Sequence, residues 1–354
     1  MLIDNDIYRS DLQRVIDAQK DWSQIDGHSF LIIGASGMIG SFLVDVLMQR
    51  NQLTDTPIQV YAMGRSEQHL KDRFGSYLND NNFQLVVADV TQPLPDNLQV
   101  DYIFHGASNT HPRAYATDPI GTIMTNLKGT EQVLEHAARV KTKRVLFLSS
   151  VEIYGENRGD IDKFSEDYCG YIDCNTLRAG YPEGKRVSES LCQAYIAKYG
   201  LDVVIPRICR TFGPTMKLDD SKASSQFILK AVHNEDIVLK SEGTQYYSYG
   251  YVADIVSALL FILVKGENGA AYNIGSEQFD LYLKDLAGEL AAMNDKKVVF
   301  DLPDATEAAG FSKATTAILD TKKLNQLGWR SIFDVSTALD HTVQILKDEL
   351  KENA

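Results

Sequence analysis

Alternating strand and helix signals predict an α/β fold, a doubly wound parallel sheet with a smaller C-terminal α/β lobe for substrate. Three observations predict it. The short apolar run Phe30–Ile33 enters Gly34-Ala-Ser-Gly37-Met-Ile-Gly40, and apolar positions 39, 42, 43, 46 and 47 follow at helical spacing. The same rhythm repeats to about residue 206, and strands alternating with helices imply a parallel sheet covered on both faces. From about residue 211 the rhythm breaks into Gly213-Pro214, Asp219-Asp-Ser-Lys222 and segments punctuated by Gly266, Gly269 and Gly275.

In chain order, residues 1–26 read as a helical extension. Ser10 and Gln13 make a capping-box pattern there, and Leu12, Val15 and Ile16 share a face. After the glycine turn and its helix come a strand over 58–63, a helix over 67–78, and strands over 83–88 and 101–105. A helix over 118–139, a strand over 143–149, a helix over 182–199 and a strand over 202–206 complete the alternation. A dinucleotide-binding domain is therefore expected over 27–210, with about 245–275 returning to it, and a substrate lobe over 211–244 and 276–354.

The 354 residues are 44% hydrophobic and 23% charged, and 48 acidic against 35 basic side chains leave a net charge of −13. This excludes a disordered chain and a disulfide miniprotein. The acid excess argues against a nucleic-acid partner, which needs basic faces to replace phosphate counterions, and leaves anionic small ligands to a few placed cations. Cys169, Cys174, Cys192 and Cys209 form no CxxC pair, so neither a metal site nor a disulfide framework is expected. The first residues carry acids and no secretory core. The longest apolar run, Val256 to Val264, falls short of the roughly 20 residues of a membrane helix. A cytoplasmic protein without a membrane partner is expected.

The glycines at 34, 37 and 40 stand between a strand and a helix, the context of a Rossmann-like dinucleotide site. The first permits the tight turn, the second lets a pyrophosphate approach the backbone, and the helix N-terminus offers N–H groups and a positive dipole. NAD is usually held by an acid at the end of the second strand, where this chain has Ala62-Met63-Gly64-Arg65-Ser66. Arg65 and Ser66 suit a 2′-phosphate, which favours NADP over NAD, although Arg65 could instead lie flat on the adenine. Asp89, at the next strand end, either accepts from the adenine amino group or caps its own loop.

Tyr181-Pro-Glu-Gly-Lys185 places a phenol and an ammonium on one face of a helix. A lysine charge at about 4 Å with an effective dielectric of about 20 favours phenolate by roughly 4 kcal/mol, about three pKa units, so Tyr181 is expected to act as a base near neutral pH. Upstream, the strand over 143–149 leads into Ser149-Ser150-Val-Glu152-Ile-Tyr-Gly155.

Together with the glycine turn, these residues resemble the extended short-chain dehydrogenase/reductase family: the sugar-nucleotide epimerases, dehydratases and decarboxylases. His105-Gly-Ala107, Asn126 with Gly129-Thr130, Phe212-Gly213-Pro214, Tyr251-Val-Ala-Asp254 and Tyr272-Asn-Ile-Gly275 match as well. Tyr181 to Glu189 looks most like the UDP-glucuronate decarboxylases. The resemblance implies hydride transfer at a carbinol carbon of a nucleotide-activated sugar. In it Tyr181 takes the hydroxyl proton, Ser150 orients that oxygen, and Lys185 also holds the nicotinamide ribose. It further implies cofactor contacts at Ser36, Met38, Ile39, Val90, Ala107 and Asn126, a sugar pocket near Asn109, Thr110 and His111, and a homodimer formed by the helix after the fourth strand and the Tyr181 helix.

The departures from that pattern are informative. Dehydratases carry an Asp-Glu pair where this chain has Val151-Glu152, and a valine cannot donate a proton. Glu152 either contacts the sugar as a base or is a structural acid. Tyr247 stands where decarboxylases and many epimerases have an arginine for phosphate or carboxylate, and Arg210 stands where the family usually has Asn. One cation is therefore lost at 247 and another gained at 210, the latter for the substrate or for a buried acid. The tyrosines at 246, 247, 249 and 251 fit a base-stacking surface or a core strand equally well. An NADPH-dependent reductase making a nucleotide-linked sugar or alditol, a UDP-glucuronate decarboxylase and an idle NADP(H)-sensing protein are the alternatives.

Overall fold

The computed structural model describes residues 2–108, 110, 117–301 and 315–352. In the first half, α1 (Asp6–Ala18) precedes β1 (Ser29–Ile33), α2 (Met38–Asn51), β2 (Gln59–Gly64), α3 (Glu67–Phe74), β3 (Phe83–Val87) and β4 (Tyr102–His105). Then come α4 (Pro119–Val140), β5 (Arg144–Phe147), the short β6 (Ser149–Ser150), α5 (Gly180–Tyr199), β7 (Val203–Ile208) and β8 (Arg210–Phe212). The remainder comprises α6 (Ala223–Val232), β9 (Ile237–Leu239), β10 (Tyr246–Tyr251), α7 (Val252–Lys265), β11 (Ala271–Ile274), β12 (Asp280–Tyr282) and α8 (Leu283–Ala292). It closes with β13 (Val298–Phe300), β14 (Thr316–Ala317), α9 (Lys322–Leu327) and α10 (Val335–Glu352).

The main sheet has the order β3-β2-β1-β4-β5-β7-β11, with β6 beside β7, and every pairing in it is parallel. β1 shows why it is covered twice. Phe30 and Ile32 enter one core cluster with Phe42 and Val46 of α2, while Leu31 and Ile33 enter another with Val133 and Leu134 of α4. The order reverses at β1, between β2 and β4, and in open α/β sheets such a switch point opens a crevice at the strand ends. This is the doubly wound, Rossmann-like architecture that the alternation predicts.

A second sheet, β12-β10-β14 with β8 also on β10, faces that crevice. Arg210 of β8 lies opposite Tyr249, and Phe212 opposite Tyr251. The chain rejoins the main sheet through α7 and β11, one element later than residue 245, because β10 itself pairs in the second sheet.

The N-terminal helix starts earlier than the capping-box pattern at Ser10 indicates. Asn5 is the cap, its side chain accepting from the Tyr8 N–H at 3.1 Å, and Ser10 lies inside the helix. Tyr8, Asp11, Leu12, Val15 and Ile16 are buried. Their burial explains α2, in which every residue from Ser41 to Met48 is buried. A helix buried on all sides needs cover on all sides, and α1 supplies the outer layer, its Tyr8 also meeting the buried Asp45. Among the described residues no helix is long and apolar enough to cross a membrane.

Candidate active site

A cavity of about 960 Å³ opens at the switch point, between the strand ends of the main sheet and the wall made by β8 and β10. Gly34, Ser36, Gly37, Met38, Ile39 and Gly40 line its first wall. Gly34 has φ +85°, and a Cβ on it would come within 3.0 Å of the Ala107 backbone nitrogen. At Gly40 a Cβ would lie 2.5 Å from the Gly34 carbonyl oxygen. Both positions exclude a side chain, so the turn stays tight and α2 opens its N-terminus at Gly37 to the cavity. The residues present thus fit a dinucleotide pyrophosphate.

Arg65, Asp89, Val90 and Ala107 line the same half. Asp89 is an anchor for its own loop: Oδ1 accepts from the Thr91 N–H and from Thr91 Oγ1, both at 2.9 Å. The Thr91 N–H, with Arg65 contributing, holds its pKa below the usual carboxylate value. Two expected cofactor residues stand elsewhere. Ser66 caps α3, its Oγ accepting from the His69 N–H at 3.2 Å, and is not part of the cavity wall. Asn126 is buried one layer behind, because its Nδ2 donates to the Thr122 carbonyl at 2.9 Å and its Oδ1 accepts from Ser108 Oγ at 3.0 Å. Thr110 lines the cavity, whereas Asn109 and His111 lie outside the described residues.

Ser150, Glu152, Tyr181 and Lys185 meet in the middle of the cavity. Ser150 caps a 3-10 turn over Val151–Tyr154 and accepts from the Glu152 N–H at 3.2 Å. Burial pushes the Tyr181 phenol up to about 12, against a hydrogen bond from Ser150 that pulls it down. Lys185 is 3% exposed, and its Nζ donates to the Leu148 carbonyl at 2.7 Å. Burial pushes that ammonium down to about 8, while Glu189 pulls it up. The expected lowering of Tyr181 is therefore corrected: burial outweighs any cation and raises the phenol, and the Lys185 ammonium donates to a backbone carbonyl.

The far wall carries a cluster that the sequence shows only in part. Arg210 Nη2 donates to Glu152 Oε1 at 3.3 Å, and its guanidinium lies 3.7 Å from the ring centroid of Tyr247. Arg178, three residues before Tyr181, approaches the other Glu152 oxygen at 3.9 Å. Arg210 Nη1 is buried without a hydrogen-bond partner among the described residues. Of the two roles expected of Arg210, the structure shows the pairing with an acid, Glu152, and in addition a stack on Tyr247. Arg178 was missed; its only signal was a cation just ahead of the Tyr-x-x-x-Lys helix.

A glycine turn at the head of α2 and a Ser–Tyr–Lys group across one cavity define an enzyme of the extended short-chain dehydrogenase/reductase type. The chain belongs to the NAD-dependent epimerase/dehydratase family, whose model matches residues 30–275. It is 32% identical over 339 residues to UDP-glucuronic acid decarboxylase 1 of Xenopus tropicalis, covering 94% of this chain and 75% of that protein. To UDP-glucuronic acid decarboxylase 5 of Arabidopsis thaliana it is 37% identical over 246 residues, 70% of this chain and 69% of that protein. The fold is shared with UDP-glucuronic acid 4-epimerase of Bacillus cereus, solved with UDP-glucuronic acid and NAD, at a TM-score of 0.77 and 20% identity, covering 91% of this chain and 99% of that one. It is likewise shared with dTDP-glucose 4,6-dehydratase of Streptomyces venezuelae, at a TM-score of 0.77 and 23% identity, covering 92% and 98%.

Proposed function

We propose that this enzyme works by hydride transfer at a carbinol carbon of a nucleotide-activated sugar. The convergence of Ser150, Tyr181 and Lys185 on the cavity that the glycine turn lines carries this reading. The glycine turn and Arg65 would hold a nicotinamide dinucleotide, which would supply hydride acceptance and return. Tyr181 takes the hydroxyl proton, and the Ser150 hydroxyl, already bonded to the phenol, orients the sugar oxygen. With the phenol at about 12, this base needs a cation. Lys185, one helical turn away, supplies it by leaving the Leu148 carbonyl, and a charge at about 4 Å is worth roughly three pKa units. Tyr181→Phe should lower kcat by about 10²–10⁴-fold; unchanged turnover of UDP-glucose, UDP-glucuronic acid and dTDP-glucose would sink the reading.

Arg65 on the cavity wall and the end of β2 at Gly64, without an acid, support NADP as the preferred dinucleotide. With Ser66 engaged as a cap, the preference rests on Arg65. Titration of the protein with NADP and NAD tests it, equal affinities counting against.

A decarboxylating variant of the same chemistry has one observation in its favour. Arg210 brings a guanidinium over Tyr247, which compensates for the arginine absent at 247, and Arg178 adds a second cation beside Glu152. Two guanidinium groups facing one carboxylate leave a net positive charge suited to a sugar carboxylate or phosphate. Arg210→Met should raise KM for a nucleotide sugar tenfold or more, the loss of a charge-assisted bond worth about 1.5–3 kcal/mol. Release of carbon dioxide from UDP-glucuronic acid separates decarboxylation from epimerisation. The exposed Ile120, Ile123 and Met124 of α4 and Val187 of α5 support a homodimer through these two helices, and a monomeric mass in solution would refute it.

A further inference from the structure

We infer that α1 is a strap fixing the substrate wall of the cavity against its cofactor wall, with Asp11 as the positioning residue for β10. Two polar groups on one face of the helix, Tyr8 and Asp11, are fully buried and fasten in opposite directions. Tyr8 Oη donates to Asp45 Oδ2 at 2.5 Å. Asp45 also accepts from Tyr77 Oη at 3.0 Å and pairs with Arg73. It lies two turns into α2, the helix whose first turn forms the cofactor wall.

Asp11 fastens the other side. Tyr251 Oη donates to Asp11 Oδ2 at 2.5 Å, and His341 Nδ1 of α10 lies 2.8 Å from Asp11 Oδ1. Tyr251 closes β10, opposite Phe212, with the two rings 5.8 Å apart. Two residues back in each strand, Tyr249 faces Arg210, and both line the cavity with Tyr247. An apolar helix face alone would permit sliding. A buried carboxylate is costly unless its bonds are made, so it admits one register. The strap sets the distance between Arg210 with its tyrosine floor and the glycine turn.

The test uses the full chain with Tyr251→Phe, which removes one hydroxyl, and Asp11→Ala. Two quantities are read: amide hydrogen exchange by segment, and the affinities for UDP and NADP. The UDP measurement rests on the nucleotide-sugar reading; the exchange measurement does not. Both variants should speed exchange at least tenfold in 246–251 and 210–212, leave β1 to β4 unchanged, and weaken UDP at least fivefold while NADP stays within twofold. Unchanged exchange in β8 and β10 overturns the inference, as does acceleration throughout the main sheet with parallel loss of both ligands. A wild-type protein that fails to bind UDP counts against the nucleotide-sugar reading alone, and exchange still decides the strap.

Discussion

Lys185 and Glu189, four residues apart on α5, show how a motif's chemistry depends on neighbours outside it. Glu189 accepts from Ser149 Oγ at 2.5 Å and binds Arg207 through two contacts of 3.1 and 2.7 Å. Its charge opposes the burial that pushes Lys185 down to about 8. If protonated Lys185 stabilises the Tyr181 anion, kcat/KM falls as pH rises through about 8. Glu189→Gln removes the opposing charge and should move that alkaline limb to lower pH. A pH–rate profile of the variant checks it, and a limb that stays in place would show that Lys185 does not govern the step. The residue types of the Ser–Tyr–Lys group were legible in the sequence because they sit at fixed spacing on one strand end and one helix. The direction of the Lys185 ammonium was not, since a backbone carbonyl acceptor leaves no mark in composition or spacing. The convergence of Arg178 and Arg210 on Glu152 was half legible, because it brings together residues from three separate elements.

Among the elements, the helix expected over 67–78 ends at Phe74, and otherwise the alternation of the main sheet was readable to within a few residues, since a strand buried on both faces is a short apolar run and the helix after it has a 3.6 period. The start of α1 was not. The capping-box pattern pointed to Ser10, whereas the cap in the structure is Asn5, five residues earlier. Asn5→Ala should cost about 1 kcal/mol by removing the cap, while Ser10→Ala, inside an already formed helix, should be neutral or slightly stabilising. Urea unfolding of the two variants distinguishes them, and the reverse order would return the helix start to Ser10. The destination of α1 was equally hidden: the sequence placed Leu12, Val15 and Ile16 on one face, and only the partners of Tyr8 and Asp11 on α2, β10 and α10 show those two side chains to be interior.

At the scale of the whole molecule, the seam between α1, α7 and α10 contributes to stability near neutral pH through Asp254 and His341. Burial pushes Asp254 up to about 7, above the roughly 3.9 of an unfolded Asp. The folded state therefore keeps a proton that the unfolded chain has released, and stability is lost as pH rises from about 4 to about 7. His341 is raised by its hydrogen bond to Asp11; its stabilisation is full below about 6.5 and disappears as pH rises through that elevated value. Both act in one direction, so Tm should fall between pH 5 and pH 8. Asp254→Asn, which keeps the acceptor for the Ile332 N–H, should flatten the fall, and an unaltered slope would remove Asp254 from the account. The same seam bears on synthesis. Asp11 finds Tyr251 and His341 at sequence separations of 240 and 330 residues, so these two bonds form only after the long intervening chain has been made. The apolar face of α1 can meet α2 early, and the clasp of α1 to β10 and α10 closes late in folding.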